Sequence, residues 1–187
     1  MKVLYKVWNF VRSPAYIKLE QPSSSTKGHL FTNLLILGVV FGVAIGFFNQ
    51  SLLKLLNIDL GAHASDLFIA KTSAMGIFFS VAIVAPVLEE AIFRGPLILF
   101  KDKKYFRHSL YVSVILFGAV HLFNFQFSKE ILILGPLLSA PQIILGIFLA
   151  YIRIKLGLLW AILLHASYNA IFLGPIIILK LFNISLE

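Results

Sequence analysis

Along the chain, apolar residues fall in long runs rather than in the short alternations of strands, and polar residues gather in the gaps. Five runs, near residues 30–48, 76–100, 109–125, 131–152 and 157–179, could each cross a hydrocarbon core of about 30 Å as a helix. Ahead of them, Val3, Leu4, Val7, Trp8 and Val11 share one helical face, with Lys2, Lys6, Asn9 and Arg12 opposite. That spacing predicts a short basic amphipathic helix on the membrane surface, ended by Pro14, with a partly ordered tail as the alternative. Gln21-Pro22-Ser23-Ser24-Ser25-Thr26 reads as a loop. Charges interrupt any apolar core in the first 29 residues, so they do not form a signal peptide. The stretch 67–76, flanked by Asp66 and set around Lys71, reads as an interfacial lead-in to the second run. The pattern predicts an all-α, polytopic transmembrane helical bundle of about five spans plus an N-terminal amphipathic helix. Residues 1–29 form the basic N-terminal segment and 30–187 the bundle.

Composition excludes a soluble alternative. The 187 residues are 59% hydrophobic and only 13% charged, with a mean hydropathy of +0.93, whereas soluble domains carry about 25% charged residues. The absence of cysteine excludes a thiol nucleophile, a cysteine-ligated metal and a disulfide framework. A net charge of +8 could suggest nucleic acid, but a membrane chain gathers Lys and Arg on cytoplasmic loops anyway. Here eleven of them fall on one side if the N-terminus is cytoplasmic: five ahead of residue 30, four at 101–107 (Lys103 included) and two at 153–155. Only Lys54, Lys71, Lys129 and Lys180 then lie on the other. The expected setting is the cell membrane, multi-pass, with a cytoplasmic N-terminus, the lipid bilayer as partner and no nucleic acid.

Gly38, Gly42 and Gly46 repeat every fourth residue in the first run. Small residues so spaced let helices approach closely, here inside the bundle, with a dimer interface as the alternative. The oligomeric state stays open. No internal repeat supports an inverted-repeat transporter.

Ionisable residues inside spans carry the chemical information, because each costs about 2.5–3.5 kcal/mol at the membrane centre on insertion scales. The second run contains Val87-Leu88-Glu89-Glu90-Ala91-Ile92-Phe93-Arg94, the third Phe117-Gly118-Ala119-Val120-His121, and the fifth His165-Ala166-Ser167-Tyr168-Asn169. Glu90 and Arg94 are one helical turn apart and can pair internally. Glu89 has Phe93 in the corresponding place, which leaves it the freer carboxylate and the candidate general base. His165 and Asn169 share a face, as do Phe117 and His121, where the ring can orient the imidazole. At about 1.5 Å per residue, Glu89 lies about 16 Å from Phe100, His121 about 18 Å from Ser109 and His165 about 12 Å from Gly157. Matched depth from one side predicts a single intramembrane site open toward the cytoplasm. Any one histidine could be an interhelical hydrogen bond, and Gln142 and Ser139 read as hydrogen-bond glue; His29, His63 and His108 fall at span ends or in loops.

Glu-Glu-x-x-x-Arg at 89–94, Phe-x-x-x-His at 117–121 and His-x-x-x-Asn at 165–169, in that order, resemble the CAAX protease and bacteriocin-processing (CPBP, or Abi) intramembrane proteases. The resemblance covers about residues 80–172, including the Gly-Leu-Leu-Trp approach at 157–160. It implies a helical bundle, often classed as a metalloprotease, that cleaves membrane-associated peptides or proteins. By the same resemblance Glu89 and His121 activate the attacking water, and His165 and Asn169 stabilise the oxyanion. There is no His-Glu-x-x-His, no Gly-x-Ser-x-Gly and no aspartate within a span, so other intramembrane protease chemistries lack their parts. The alternatives are a catalytically silent bacteriocin-immunity or scaffold protein and, less well supported, a proton-coupled transporter. Glu89, His121 and His165 could in principle ligand zinc, but Glu89 would then be lost as base. The expectation is no metal and no other cofactor.

Overall fold

The computed structural model describes residues 2–61, 63–102, 104–182 and 184 of the chain, so Lys103 lies outside the described residues. All regular structure within them is helical: α1 (Lys2–Arg12), α2 (Ser24–Leu55), α3 (Ala64–Lys71), α4 (Ala74–Ile77), α5 (Ala85–Phe93), α6 (Phe106–Val120), α7 (Lys129–Leu138), α8 (Ala140–Leu156) and α9 (Leu158–Leu181). Five stretches are long and apolar enough to span a membrane: Ser24–Leu55, Ala74–Phe100, Phe106–Asn124, Lys129–Leu156 and Leu158–Leu181. The chain is a multi-pass membrane protein, with its spans where the apolar runs placed them.

Helix α2 starts three residues inside the expected loop, because the Ser23 hydroxyl accepts the Thr26 N–H at 3.2 Å and caps the helix. The lead-in to the second span is the short helix α3, none of whose residues is buried. α1 is the expected helix, but its apolar stripe divides. Val7 and Phe10 are buried, Phe10 packing edge-on against Tyr151 of α8, while Leu4, Tyr5 and Trp8 stay exposed. The segment after it is tied down as well. The Tyr111 hydroxyl donates to Val11 O (2.6 Å), the Leu19 N–H to Lys155 O (3.2 Å) and the Lys155 ammonium to Ile17 O (2.9 Å). Arg153, expected in a connection, is instead a buried residue of α8; its Nε donates to Arg94 O at 3.2 Å and its Nη1 to the Tyr16 hydroxyl at 3.1 Å.

The second span is not one continuous helix. α4 passes into a wide π-helical stretch, Phe78–Val84, then α5, then a 3-10 stretch, Gly95–Phe100. The widening follows from Pro86, which has no N–H and crowds the carbonyl four residues back. Ala85 donates to Ser80 O, five residues back. In that register the next donor would be residue 86, so Val81 O is left over. The Asn169 amide fills the gap, with Nδ2 donating to Val81 O at 2.9 Å. Pro96 is the second residue of the 3-10 stretch. The fourth span also breaks, at Ser139 before Pro141.

α8 forms the centre of the bundle, with Leu145, Phe148, Leu149, Ile152 and Ile154 buried against α2, α6 and α9. Gly157 turns the chain from α8 into α9 at φ 108°, a conformation side chains disfavour. The α2 glycines serve packing within the bundle at two of three positions. A Cβ on Gly42 would overlap the Tyr168 hydroxyl and one on Gly38 would touch the same ring, whereas one on Gly46 would meet nothing.

Candidate active site

Glu89 and Glu90 ride on α5, His121 follows α6, and His165 and Asn169 lie on α9. The structure brings them around one cavity of about 460 Å3, with Glu90 and Arg94 buried behind it. That volume lies within the range of about 300–1,000 Å3 usual for ligand sites.

The buried layer is a fixed ion-pair cluster. Arg94 Nη1 donates to Glu90 Oε1 at 3.1 Å, one turn away on the same helix, and both side chains are fully buried. Arg94 Nη2 donates to Gly146 O at 3.3 Å. The guanidinium carbon sits 3.9 Å from the centre of the Phe117 ring, an arrangement that offsets part of the desolvation cost. The same carboxylate oxygen also accepts from His165 Nδ1 at 3.0 Å, so Glu90 links α5 to α9. The expected Glu90–Arg94 pair is therefore present with a third member that sequence spacing did not disclose.

The layer facing the cavity is less constrained. His165 Nε2 points toward Glu89 Oε2 at 3.8 Å, which places a carboxylate beside each ring nitrogen of His165. Glu89 Oε2 is buried and has no hydrogen-bond partner among the described residues. His121 Nδ1 donates to Phe117 O at 2.7 Å, since a carbonyl only accepts. This fixes the tautomer that leaves Nε2 with a free lone pair. The Phe117 ring meets both imidazoles edge-to-face, at centroid distances of 5.0 Å for His121 and 5.5 Å for His165. Phe117 thus orients His121 through its ring and its carbonyl. Asn169 lines the cavity but commits one amide hydrogen to Val81 O.

Sequence reasoning missed several cavity residues. Ala64, Ser65 and Phe68 of α3 line it, as do Tyr168 and Asn124. Their only advance signals were the lead-in reading of α3 and the place of Tyr168 inside a motif. Gln142, read as hydrogen-bond glue, also faces the cavity, and its Oε1 is buried without a partner among the described residues.

Lining residues from α3 and at Asn124 extend the cavity toward the end of the bundle where α2 and α6 finish, away from α1.

Fold and site together define a polytopic helical membrane protein with a carboxylate–histidine centre built between spans two, three and five. Over residues 71–171 the sequence matches the family described as type II CAAX prenyl endopeptidase Rce1-like, and the chain belongs to that family of membrane proteases. No curated protein and no solved structure matches it.

The metalloprotease classing of such enzymes implies zinc, and the donors can be tested against it. A zinc ion would require Glu89, His121 and His165, with partners left over to hold each imidazole. His165 already faces a carboxylate at each nitrogen. Among the described residues no three His, Asp or Glu side chains are gathered to hold an ion. As arranged, these donors do not fit a zinc centre.

Proposed function

We propose that the chain is an intramembrane endopeptidase that hydrolyses peptide bonds of membrane-associated peptides or proteins with a glutamate-activated water. The observation that carries this reading is the buried Oε2 of Glu89, without a hydrogen-bond partner among the described residues, at a cavity that also receives His121 and His165. Glu89 removes a proton from water, while the free Nε2 of His121 accepts the second hydrogen bond and orients it. The hydroxide attacks the scissile carbonyl. The second amide hydrogen of Asn169, and a protonated Nε2 of His165, donate to the developing oxyanion. When the C–N bond breaks, Glu89 returns its proton to the leaving amine, so the carboxylate is regenerated. Glu90 and Arg94 hold His165 and α5 in place and act as positioning residues. Gln142 Oε1 is an acceptor suited to a substrate N–H.

The orientation belongs to the same reading: the eleven-to-four division of Lys and Arg supports a cytoplasmic N-terminus. A peptidase assay on purified protein tests the function. Glu89→Gln is expected to lower turnover by about 10²–10⁴-fold, the usual worth of a general base, with the protein still folded. Wild-type turnover in that variant would sink the assignment, and absence of hydrolysis by the parent protein would favour the silent scaffold. Chelator treatment is expected to leave the rate unchanged; stoichiometric zinc lost and regained together with activity would instead make Glu89, His121 and His165 ligands.

A further inference from the structure

Two buried polar side chains have no part in the chemistry above. Ser113 of α6 and Arg153 of α8 are each 7% exposed, and neither lines the cavity. Both end at the same place, the last carbonyls of α5. The Ser113 hydroxyl donates to Phe93 O at 2.6 Å, and Arg153 Nε donates to Arg94 O at 3.2 Å. No carboxylate among the described residues pairs with Arg153. Its charge is met instead by carbonyl oxygen at a helix C-terminus, where a cation is favoured.

The sequence explains why these carbonyls need donors from outside. Pro96 has no N–H. In the 3-10 register that opens at Gly95, the Leu97 N–H turns to Arg94 O at 3.3 Å, and the donor due at Phe93 O would be residue 96. Ser113 supplies it. α5 thus lies between a π stretch and a 3-10 stretch, with side chains from three other spans at its two ends. Asn169 serves Val81 O at one end, and Ser113 and Arg153 serve Phe93 O and Arg94 O at the other. Arg94 is gripped twice from one face of α8, since Gly146 O takes its Nη2 and Arg153, two turns on, takes its carbonyl.

Resting on the hydrolase reading above, we infer that Ser113 and Arg153 are positioning residues of the reaction. They replace the bonds that Pro96 removes from the end of α5, and so fix where Glu89, one turn before that end, stands relative to His121 and His165. Release of the end lets the last turn unwind, and a displacement of about 1 Å at a reacting group can cost about 10²-fold in rate. Because neither residue reaches the cavity, their loss falls on kcat and leaves KM at the parent value.

The test uses the full chain in detergent, with an internally quenched peptide, well below the melting temperature of each variant. Ser113→Ala removes one donor with little change in volume, and Arg153→Met removes the other while keeping an apolar stem. Each is expected to lower kcat by about 10–10²-fold with KM unchanged. Adding Pro96→Ala to Ser113→Ala returns an N–H to position 96, and the double variant should recover most of the lost kcat. Amide hydrogen exchange over residues 93–98 reads the same end without activity: faster in Ser113→Ala, slow again in the double variant. Parent kcat in both single variants, or a raised KM at parent kcat, would overturn the inference, as would a double variant that fails to recover kcat. Absence of hydrolysis by the parent protein would instead overturn the hydrolase reading, and the exchange pattern would still decide whether Ser113 holds the end of α5.

Discussion

One residue turns an α-helix by about 100°, and that rotation alone gives Glu89 and Glu90 different surroundings. Glu90 points back to Arg94 and His165, and Glu89 points to the cavity. The four-residue spacing made the Glu90–Arg94 pair legible in the sequence, and Phe93 marked Glu89 as the carboxylate without a charge partner one turn on in its own helix. The His165 link was not legible, because it joins residues 75 positions apart on separate helices. These roles separate in mutants. Arg94→Ala or Glu90→Gln strands a buried group and should destabilise the fold by about 3–5 kcal/mol, whereas Glu89→Gln should leave thermal unfolding in detergent nearly unchanged. Equal melting of Arg94→Ala and the parent would remove the ion-pair account. Gln142→Leu tests the second buried acceptor that lines the cavity without a partner among the described residues. With no internal hydrogen bond to lose, it should keep the parent's stability, while loss of one substrate hydrogen bond worth about 0.5–1.5 kcal/mol raises KM by about 2–13-fold. A destabilised Gln142→Leu with unaltered KM would show that the amide serves packing instead.

At the scale of elements, the apolar runs located all five spans, yet a run of apolar letters does not say whether its backbone is continuous. Pro86, Gly95 and Pro96 were visible and still left two outcomes open: a kink, or the widened π stretch that the structure adopts. What decides between them lies on another helix, since Asn169 satisfies the carbonyl that Pro86 cannot. Asn169 consequently holds the second span together as well as facing the cavity. Asn169→Leu should lower both the melting temperature and the turnover. Adding Pro86→Ala restores an N–H to the stretch, so the double variant should recover much of the melting temperature without recovering turnover. If Pro86→Ala rescues neither quantity, the carbonyl-satisfying role is wrong; if it rescues both, Asn169 contributes nothing to the chemistry itself.

Over the whole molecule, the N-terminal segment closes one end of the bundle, a role its basic amphipathic pattern did not reveal because the same stripe would suit a lipid surface. Deleting residues 2–19 should uncover the seat of Val7 and Phe10 and lower the melting temperature, while the cavity keeps its walls. Activity measured well below the transition should therefore persist; its complete loss there would assign the segment to the reaction. The separation of Glu90 from His165 also sets a timetable for biosynthesis. At about 5–20 residues per second, the ribosome needs about 4–15 s after making Glu90 to reach the histidine that completes its surroundings 75 positions later. Through that interval the nascent second span has one charge partner within its own helix, Arg94, made four residues on. Loss of that arginine is thus felt first by the insertion machinery, as a span that lingers at the lipid boundary and is cleared by quality-control proteases before any bundle exists to unfold.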